Sequence, residues 1–198
     1  MEENWNTQQT LIQRAQNPDD HSAWDDFVSY YKTFIKMVLN KSRISLDEAD
    51  DLVQDILLKV WKSLPNYEYR KEKAKFRTWL STVIRNTVIN HLAKIKRKGG
   101  DKLELDESRI MSVTESEIEN VIKDEWVNYL TLVAMEKVKE VFSGQAIDVF
   151  KLSLKGRSAK EISAKLDLTE DSVFVLRSRI KSRLKKEVER LRQEIEFK

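Results

Sequence analysis

Two groups of side chains have the types and spacing to bind a polyanion. In the first, Arg77, Arg85, Asn86, Asn90, His91 and Lys94 project outward from the segment KFRTWLSTVIRNTVINHLAKIKRK, residues 75–98. Guanidinium groups bind phosphates in bidentate fashion, and amides hydrogen-bond base edges. Aromatic faces accept an unstacked base, and Tyr67, Tyr69, Phe76 and Trp79 stand close by. Trp79 is expected in the core, whereas Tyr67 and Tyr69, on a basic loop, are the better base-contact candidates. In the second group, Arg177, Ser178, Lys181 and Lys185 repeat along one side of a helical pattern, with Arg179 and Arg183 in an adjacent row.

Nothing comparable points to catalysis. The two histidines, His21 and His91, are far apart, and there is no cysteine. No glycine loop that could cradle a phosphate, no nucleophile–base–acid set and no metal-ligand spacing is evident. Asp47, Asp50, Asp51 and Asp55 lie near one another, but carboxylates on one continuous helix cannot surround a cation. A partner-binding surface explains them better. The chain is therefore expected to be no enzyme and to carry no cofactor.

Helices must position these groups. With four Gly and two Pro in 198 residues, the chain has few turn signals, which favours an all-α fold. Trp24, Phe27, Val28, Tyr31, Ile35, Val38 and Leu39 recur at three- and four-residue intervals, predicting a helix over 20–40. Ser45 or Asp47 can cap a second helix that buries Leu52, Val53, Ile56, Leu57, Val60 and Trp61 and ends at Pro65. Residues 66–75 are polar and aperiodic, hence a loop. A third helix, about 75–98, turns Phe76, Trp79, Leu80, Val83, Ile84, Thr87, Val88 and Leu92 inward. Further helices are expected over 118–141, 144–155, 159–166 and 170–195. Ser158 and Glu161 form a capping box, and Asp167-Leu168-Thr169 makes a tight connection, giving the order of a helix-turn-helix.

Charge divides the same way. Residues 65–100 carry 10 basic and 2 acidic side chains, residues 101–125 carry 3 and 9, and residues 126–198 carry 16 and 11. Two basic blocks flanking an acidic connector suit two separate contacts with nucleic acid. The expected layout is two small helical domains, 1–98 and 121–198, joined by a flexible acidic linker over 99–120. No secretory signal and no apolar stretch approaching the roughly 20 residues of a membrane span is present, so a soluble, cytoplasmic protein is expected.

Taken together, ADDLVQDILLKVWKSLPNY, KFRTWLSTVIRNTVINHLAKIKR and AIDVFKLSLKGRSAKEISAKLDLTEDSVFVLRSRIKSRLKK resemble regions 2 and 4 of the sigma-70 family, specifically its extracytoplasmic-function (ECF) group. The resemblance implies an RNA polymerase sigma factor that directs the bacterial core enzyme to promoters and assists DNA opening. It implies that Asp51, Leu52, Gln54 and Asp55 dock on the core polymerase. Tyr67, Arg77, Arg85, Asn86 and Asn90 would meet the −10 element, with Asn86 at the position that helps hold a flipped base. Ser172, Arg177, Ser178, Arg179 and Lys181 would meet the −35 element. Many members of the group carry a basic run early in the second helix of region 4. Here Phe174, Val175 and Leu176 stand there and Arg177-Ser178-Arg179 follows one turn later. An anti-sigma factor is a further partner that the resemblance suggests. The residues alone also fit an autonomous helix-turn-helix regulator, which would bind duplex DNA tightly without polymerase, and, less well, a small nuclease.

Overall fold

The computed structural model describes residues 8–42, 44–68, 76–98 and 114–196, and among these every regular element is helical. The helices are α1 (Gln8–Ala15), α2 (His21–Lys41), α3 (Leu46–Ser63), α4 (Phe76–Lys98), α5 (Glu115–Val141), α6 (Gln145–Leu154), α7 (Ala159–Leu166) and α8 (Glu170–Glu196). A short 3-10 turn, Leu64–Asn66, follows α3 with Pro65 at its start. The chain divides into two compact units, one running to Tyr129 and including the C-terminal end from Glu194, the other Leu130–Gln193.

The first unit is organised on α2. Asp20 caps this helix by accepting from the Ala23 amide at 2.9 Å, and the Arg14 guanidinium beside it holds the Asp20 carboxyl below its usual range. Along α2, Ala23, Phe27, Tyr31, Phe34, Ile35, Val38 and Leu39 are buried, a stripe at helical spacing. Phe27 is a hub. Its ring lies 5.2 Å from Trp24, 4.6 Å from Tyr31 and 5.9 Å from Phe76, the first residue of α4. α3 adds Ala49, Leu52, Val53, Ile56 and Val60, and α4 adds Leu80, Ile84 and Val88. Ser45 caps α3 by accepting from the Glu48 amide.

The helix α1 had no counterpart in the periodicity. It is held by a nearby ion pair and by two long-range bonds from the residue that follows it. Arg14 pairs with Asp20 at 2.9 Å, and the Gln16 side chain donates to the carbonyls of Leu64 and Tyr67 at 3.1 and 2.6 Å. Those two bonds also fix the turn that presents Tyr67.

Of the stretch 99–120 expected as a flexible linker, 99–113 lies outside the described residues, but α5 already begins at Glu115. The reason is local. Thr114 Oγ1 accepts from the Glu117 amide at 3.2 Å, and the Glu117 carboxylate accepts from the Thr114 amide at 2.6 Å. The pair is a Thr-x-x-Glu capping box written in the sequence, where the acidic composition had obscured it. α5 is continuous to Val141, yet its residues through Tyr129 pack with the first unit. Ile118, Ile122, Trp126 and Tyr129 are buried there, with Trp126 5.0 Å from Phe34. The compact units thus part at 129/130, whereas composition places the domain boundary near 120.

In the second unit, Val138, Ala146, Ile147, Phe150 and Ile180 form one cluster. Val149, Ile162 and Val173 form another, on which Ala159, Leu166, Leu168 and Leu176 pack. Between α7 and α8, Asp167 adopts a left-handed conformation (φ 53°), and Thr169 Oγ1 then caps α8 by accepting from the Ser172 amide at 3.1 Å. At the start of α7 the capping box is complete. Ser158 accepts from the Glu161 amide, and Glu161 accepts from Ser158 N–H at 2.8 Å. The Ser158 amide first, its hydroxyl second and Arg157 third hold the Glu161 carboxyl below its usual range.

A depressed folded value stabilises the fold above the ordinary glutamate value of 4.5, and that contribution disappears as pH falls through the lowered value. We expect Ser158→Ala to cost about 1 kcal/mol at neutral pH, measured by urea denaturation of the full chain. Glu161→Gln should destabilise at neutral pH and converge on the parent protein at pH values below the titration. A constant difference across that range would contradict the assignment.

Candidate nucleic-acid interface

α4 carries the first basic group on two distinct flanks. At 100° per residue, Trp79, Asn86 and Asn90 fall on one side (i, i+7, i+11), while Arg77, Ser81 and Arg85 fall on another (i, i+4, i+8). Asn86 and Asn90 are exposed and Trp79 is half-buried. The Trp79 ring packs 5.1 Å from Tyr67 and 5.3 Å from Phe76. Trp79 is therefore not a core residue in the sense that Leu80 or Ile84 is. It forms the rim of the aromatic cluster and, with the half-buried Tyr67, presents π-surface next to two side-chain amides. Such a stripe can stack and hydrogen-bond an unpaired base. Tyr69 lies outside the described residues.

The arginine flank is not open in the same way. Arg85 pairs with Glu115 at 3.2 Å and also with Glu119, and the Arg77 guanidinium lies 5.8 Å from the centre of the Trp126 ring. Arg77, Arg85, Glu119 and Trp126, together with Thr78, Ser81, Thr82, Ile122 and Lys123, border a cleft of about 280 Å³. The expected −10 residues thus separate into Tyr67, Asn86 and Asn90 on an accessible stripe, and Arg77 and Arg85 beneath the first turns of α5.

On α3, Asp51, Gln54 and Asp55 are exposed along one face, but Leu52 is only 5% exposed and packs into the core. Asp51, Leu52, Gln54 and Asp55 all border a groove with Glu48, His91, Lys94 and Ile95, in which His91 Nε2 lies 3.4 Å from the Glu48 carboxylate. His91 therefore faces α3. Nearby, Lys36 bonds Asp50 at 2.8 Å and holds its carboxyl low. Sequence reasoning missed Leu58, which is half-exposed and stands at i+4 from Gln54 and i+7 from Asp51. The signal was the pair Leu57-Leu58. With Ile56 and Val60 setting the buried stripe, Leu58 points away from it.

On α8, Ser178, Arg179 and Lys181 are exposed, while Ser172 and Arg177 are partly covered. Ser172 Oγ lies 2.8 Å from Thr169 Oγ1, so its hydroxyl takes part in the helix cap. The Arg177 guanidinium lies 5.0 Å from the Phe174 ring centre. Phe174 and Val175 are each 49% exposed and share a groove with Ser178, Arg179, Ser182, Arg183, Lys186 and Phe142. The polar run and this apolar pair form one surface.

Among the described residues no group of three His, Cys, Asp or Glu is arranged to hold a metal ion, and no helix is long and apolar enough to cross a membrane.

Residues 27–98 match the family model for sigma-70 region 2. Over 72 residues the chain is also 33% identical to a probable RNA polymerase sigma factor of Haemophilus influenzae (strain ATCC 51907 / DSM 11121 / KW20 / Rd). That alignment covers 36% of this chain and 32% of the relative, so the chain spans about a third of the length of the curated relative it matches. Both are similarities to sigma-factor sequence, and each covers little more than a third of this chain. The family match begins at Phe27, the aromatic hub of α2, and ends at Lys98, the last residue of α4. It contains the acidic face of α3 and both flanks of α4.

Asn86→Ala with Asn90→Ala should not destabilise the protein, because both positions are exposed on a helix interior where Ala is favoured by roughly 0.5 kcal/mol per residue. Urea denaturation checks this. A loss above about 1 kcal/mol would make these amides structural rather than available for recognition.

Proposed function

We propose that this chain is a sigma factor of the ECF type. It would direct core RNA polymerase to specific promoters in the cytoplasm and assist strand opening there. The observation that carries the proposal is the region 2 match over residues 27–98, on a unit whose α4 exposes amides and aromatic rings side by side. In this reading Asp51, Gln54, Asp55 and the adjoining Leu58 form the surface for the core enzyme. Leu52 supports that surface from beneath. An exposed leucine among carboxylates is suited to a protein partner with an apolar and basic surface.

Strand opening follows from the α4 stripe. An unstacked base costs a few kcal/mol, and stacking on Tyr67 or Trp79 together with bonds from Asn86 and Asn90 offsets that cost. Arg77 and Arg85 supply phosphate affinity on the other flank. The second unit, from α5 to α8, would act as region 4. Its turn at Asp167–Thr169 lets α8 present Ser178, Arg179 and Lys181 to the −35 element, with Arg177 beside them. Phe174 and Val175 would offer apolar contact to thymine methyl groups. No step requires the chain to make or break a covalent bond, and no cofactor enters. An anti-sigma factor would compete for these same faces.

Run-off transcription with purified core polymerase on a pool of genomic fragments tests the proposal. Discrete transcripts that depend on the chain are expected. Tight, palindrome-specific duplex binding by the chain alone, without polymerase-dependent initiation, would favour an autonomous regulator instead.

Two paired substitutions separate the roles. Asp51→Ala with Gln54→Ala should weaken core-polymerase binding at least about tenfold while leaving the melting temperature unchanged, a loss of roughly 1.4 kcal/mol at an interface hot spot. Asn86→Ala with Tyr67→Ala should impair initiation on a duplex promoter more than on one already opened across the −10 element. Equal losses on both templates would remove the opening role.

A further inference from the structure

The arginines that the proposed function assigns to promoter DNA are held by acidic and aromatic side chains of the same unit. Arg85 is about a quarter exposed and is paired with both Glu115 and Glu119, which are 62% and 44% exposed. Arg77 lies against Trp126. The segment that supplies these partners is anchored firmly. Trp126 and Ile118 are each 1% exposed, Trp126 meets Phe34 edge-on, and the Tyr129 hydroxyl donates to the Tyr30 carbonyl. Burial raises the Tyr129 hydroxyl far above its ordinary value, so it stays a protonated donor throughout the physiological range.

We propose that residues Glu115–Tyr129 of α5 are a built-in competitor of single-stranded DNA for the arginine flank of α4. The inference rests on the nucleic-acid role of Arg85 given above and adds a regulatory contact to it. Two carboxylates on one guanidinium take the place that phosphate oxygens would occupy, since both are planar or tetrahedral anions that accept bidentate N–H donation. The anchoring and the competing parts of the segment are separate. Ile118, Ile122, Trp126 and Tyr129 keep the helix on the unit, whereas Glu115 and Glu119 stand at its solvent edge. Because the two carboxylates are solvent-exposed, their pairs with the partly covered Arg85 contribute little, so a phosphate held in place by a correctly docked promoter can displace them without undocking the helix.

The consequence is selective. Non-specific DNA, which depends on phosphate contacts alone, meets a flank on which Arg85 is already neutralised. A docked promoter strand, which also gains the Trp79, Asn86 and Asn90 stripe, has enough additional contact to take Arg85 from the carboxylates. The acidic connector thereby lowers stray binding by the free protein without blocking the face that reads bases.

Fluorescence anisotropy of a labelled single-stranded oligonucleotide with the full chain tests this. Glu115→Gln with Glu119→Gln should bind roughly three- to tenfold more tightly than the parent, the range set by two solvent-exposed ion pairs. The log–log salt slope should steepen by about one phosphate contact. A control with the same charge change, Glu136→Gln and Glu140→Gln, removes two glutamates of α5 that pair with Lys139 and Lys137, and should leave affinity close to the parent. Arg85→Ala placed in the Glu115→Gln/Glu119→Gln chain should abolish the gain. Equal tightening in both glutamine pairs, or none in the first, overturns the competition. If Arg85→Ala still weakens binding in the parent, the DNA role of Arg85 survives that failure. If Arg85→Ala is silent in every background, the DNA role itself is wrong and the competitor falls with it. Circular dichroism melts confirm that each variant remains helical.

Discussion

The first unit depends on one constraint, the packing of aromatic rings along α2. Phe27 sits in a run of rings that extends through Trp24 to Trp61 on one side and through Tyr31 and Phe76 to Tyr67 and Trp79 on the other. Two turns on, Phe34 does the same for Trp126 and Tyr129. Rings of this size dominate the energetics of a small core, and their preference for edge-on and offset contact restricts how neighbouring helices can sit. Because Phe76 is the first residue of α4 and touches both Phe27 and Tyr31, the start of α4 is pinned next to Tyr67. The stripe of Trp79, Asn86 and Asn90 inherits its position from that contact.

The same packing gives α4 its two unequal flanks. One side leaves the aromatic rim and two amides in solvent. The other receives the first turns of α5, brought there by Phe34 and Trp126. The two flanks of this basic helix are therefore unequally open to solvent. Its amide and aromatic flank is accessible, while on the other flank Arg85 is already paired with carboxylates of its own chain. Surface charge counted along the sequence overstates the cationic surface on offer, because Arg85 is neutralised locally by Glu115 and Glu119.

The acidic face of α3 is built on a comparable division of labour within one helix. Leu52, Val53, Ile56 and Val60 hold it to α2 and α4, and Asp51, Gln54, Asp55 and Leu58 remain outside. Neighbouring residues in sequence thus take opposite tasks. Leu52 lies 100° from Asp51 around the helix and is largely buried, yet it lines the same groove as Asp51, Gln54 and Asp55.

Much of this was legible in the sequence, and for identifiable reasons. The helices over 21–41, 46–63, 76–98 and the four after residue 114 follow from apolar periodicity and from caps at Ser45, Ser158 and Thr169, which are interactions between residues three or four apart. Local geometry alone satisfies them, so local sequence specifies them. The candidate interfaces on α3, α4 and α8 were likewise visible as residue types at helical spacing. What the tertiary structure decided depended on partners distant in the chain. Phe34 fits the apolar period of α2, but that its ring meets Trp126, more than ninety residues away, is decided by the tertiary structure. The helix α1 is held by Gln16 reaching the carbonyls of Leu64 and Tyr67, which no periodicity encodes. Most consequentially, the acidic stretch read as a linker ends in a helix whose buried face belongs with α2 and α4. Composition reports how charged a segment is, but only packing determines which charge it meets.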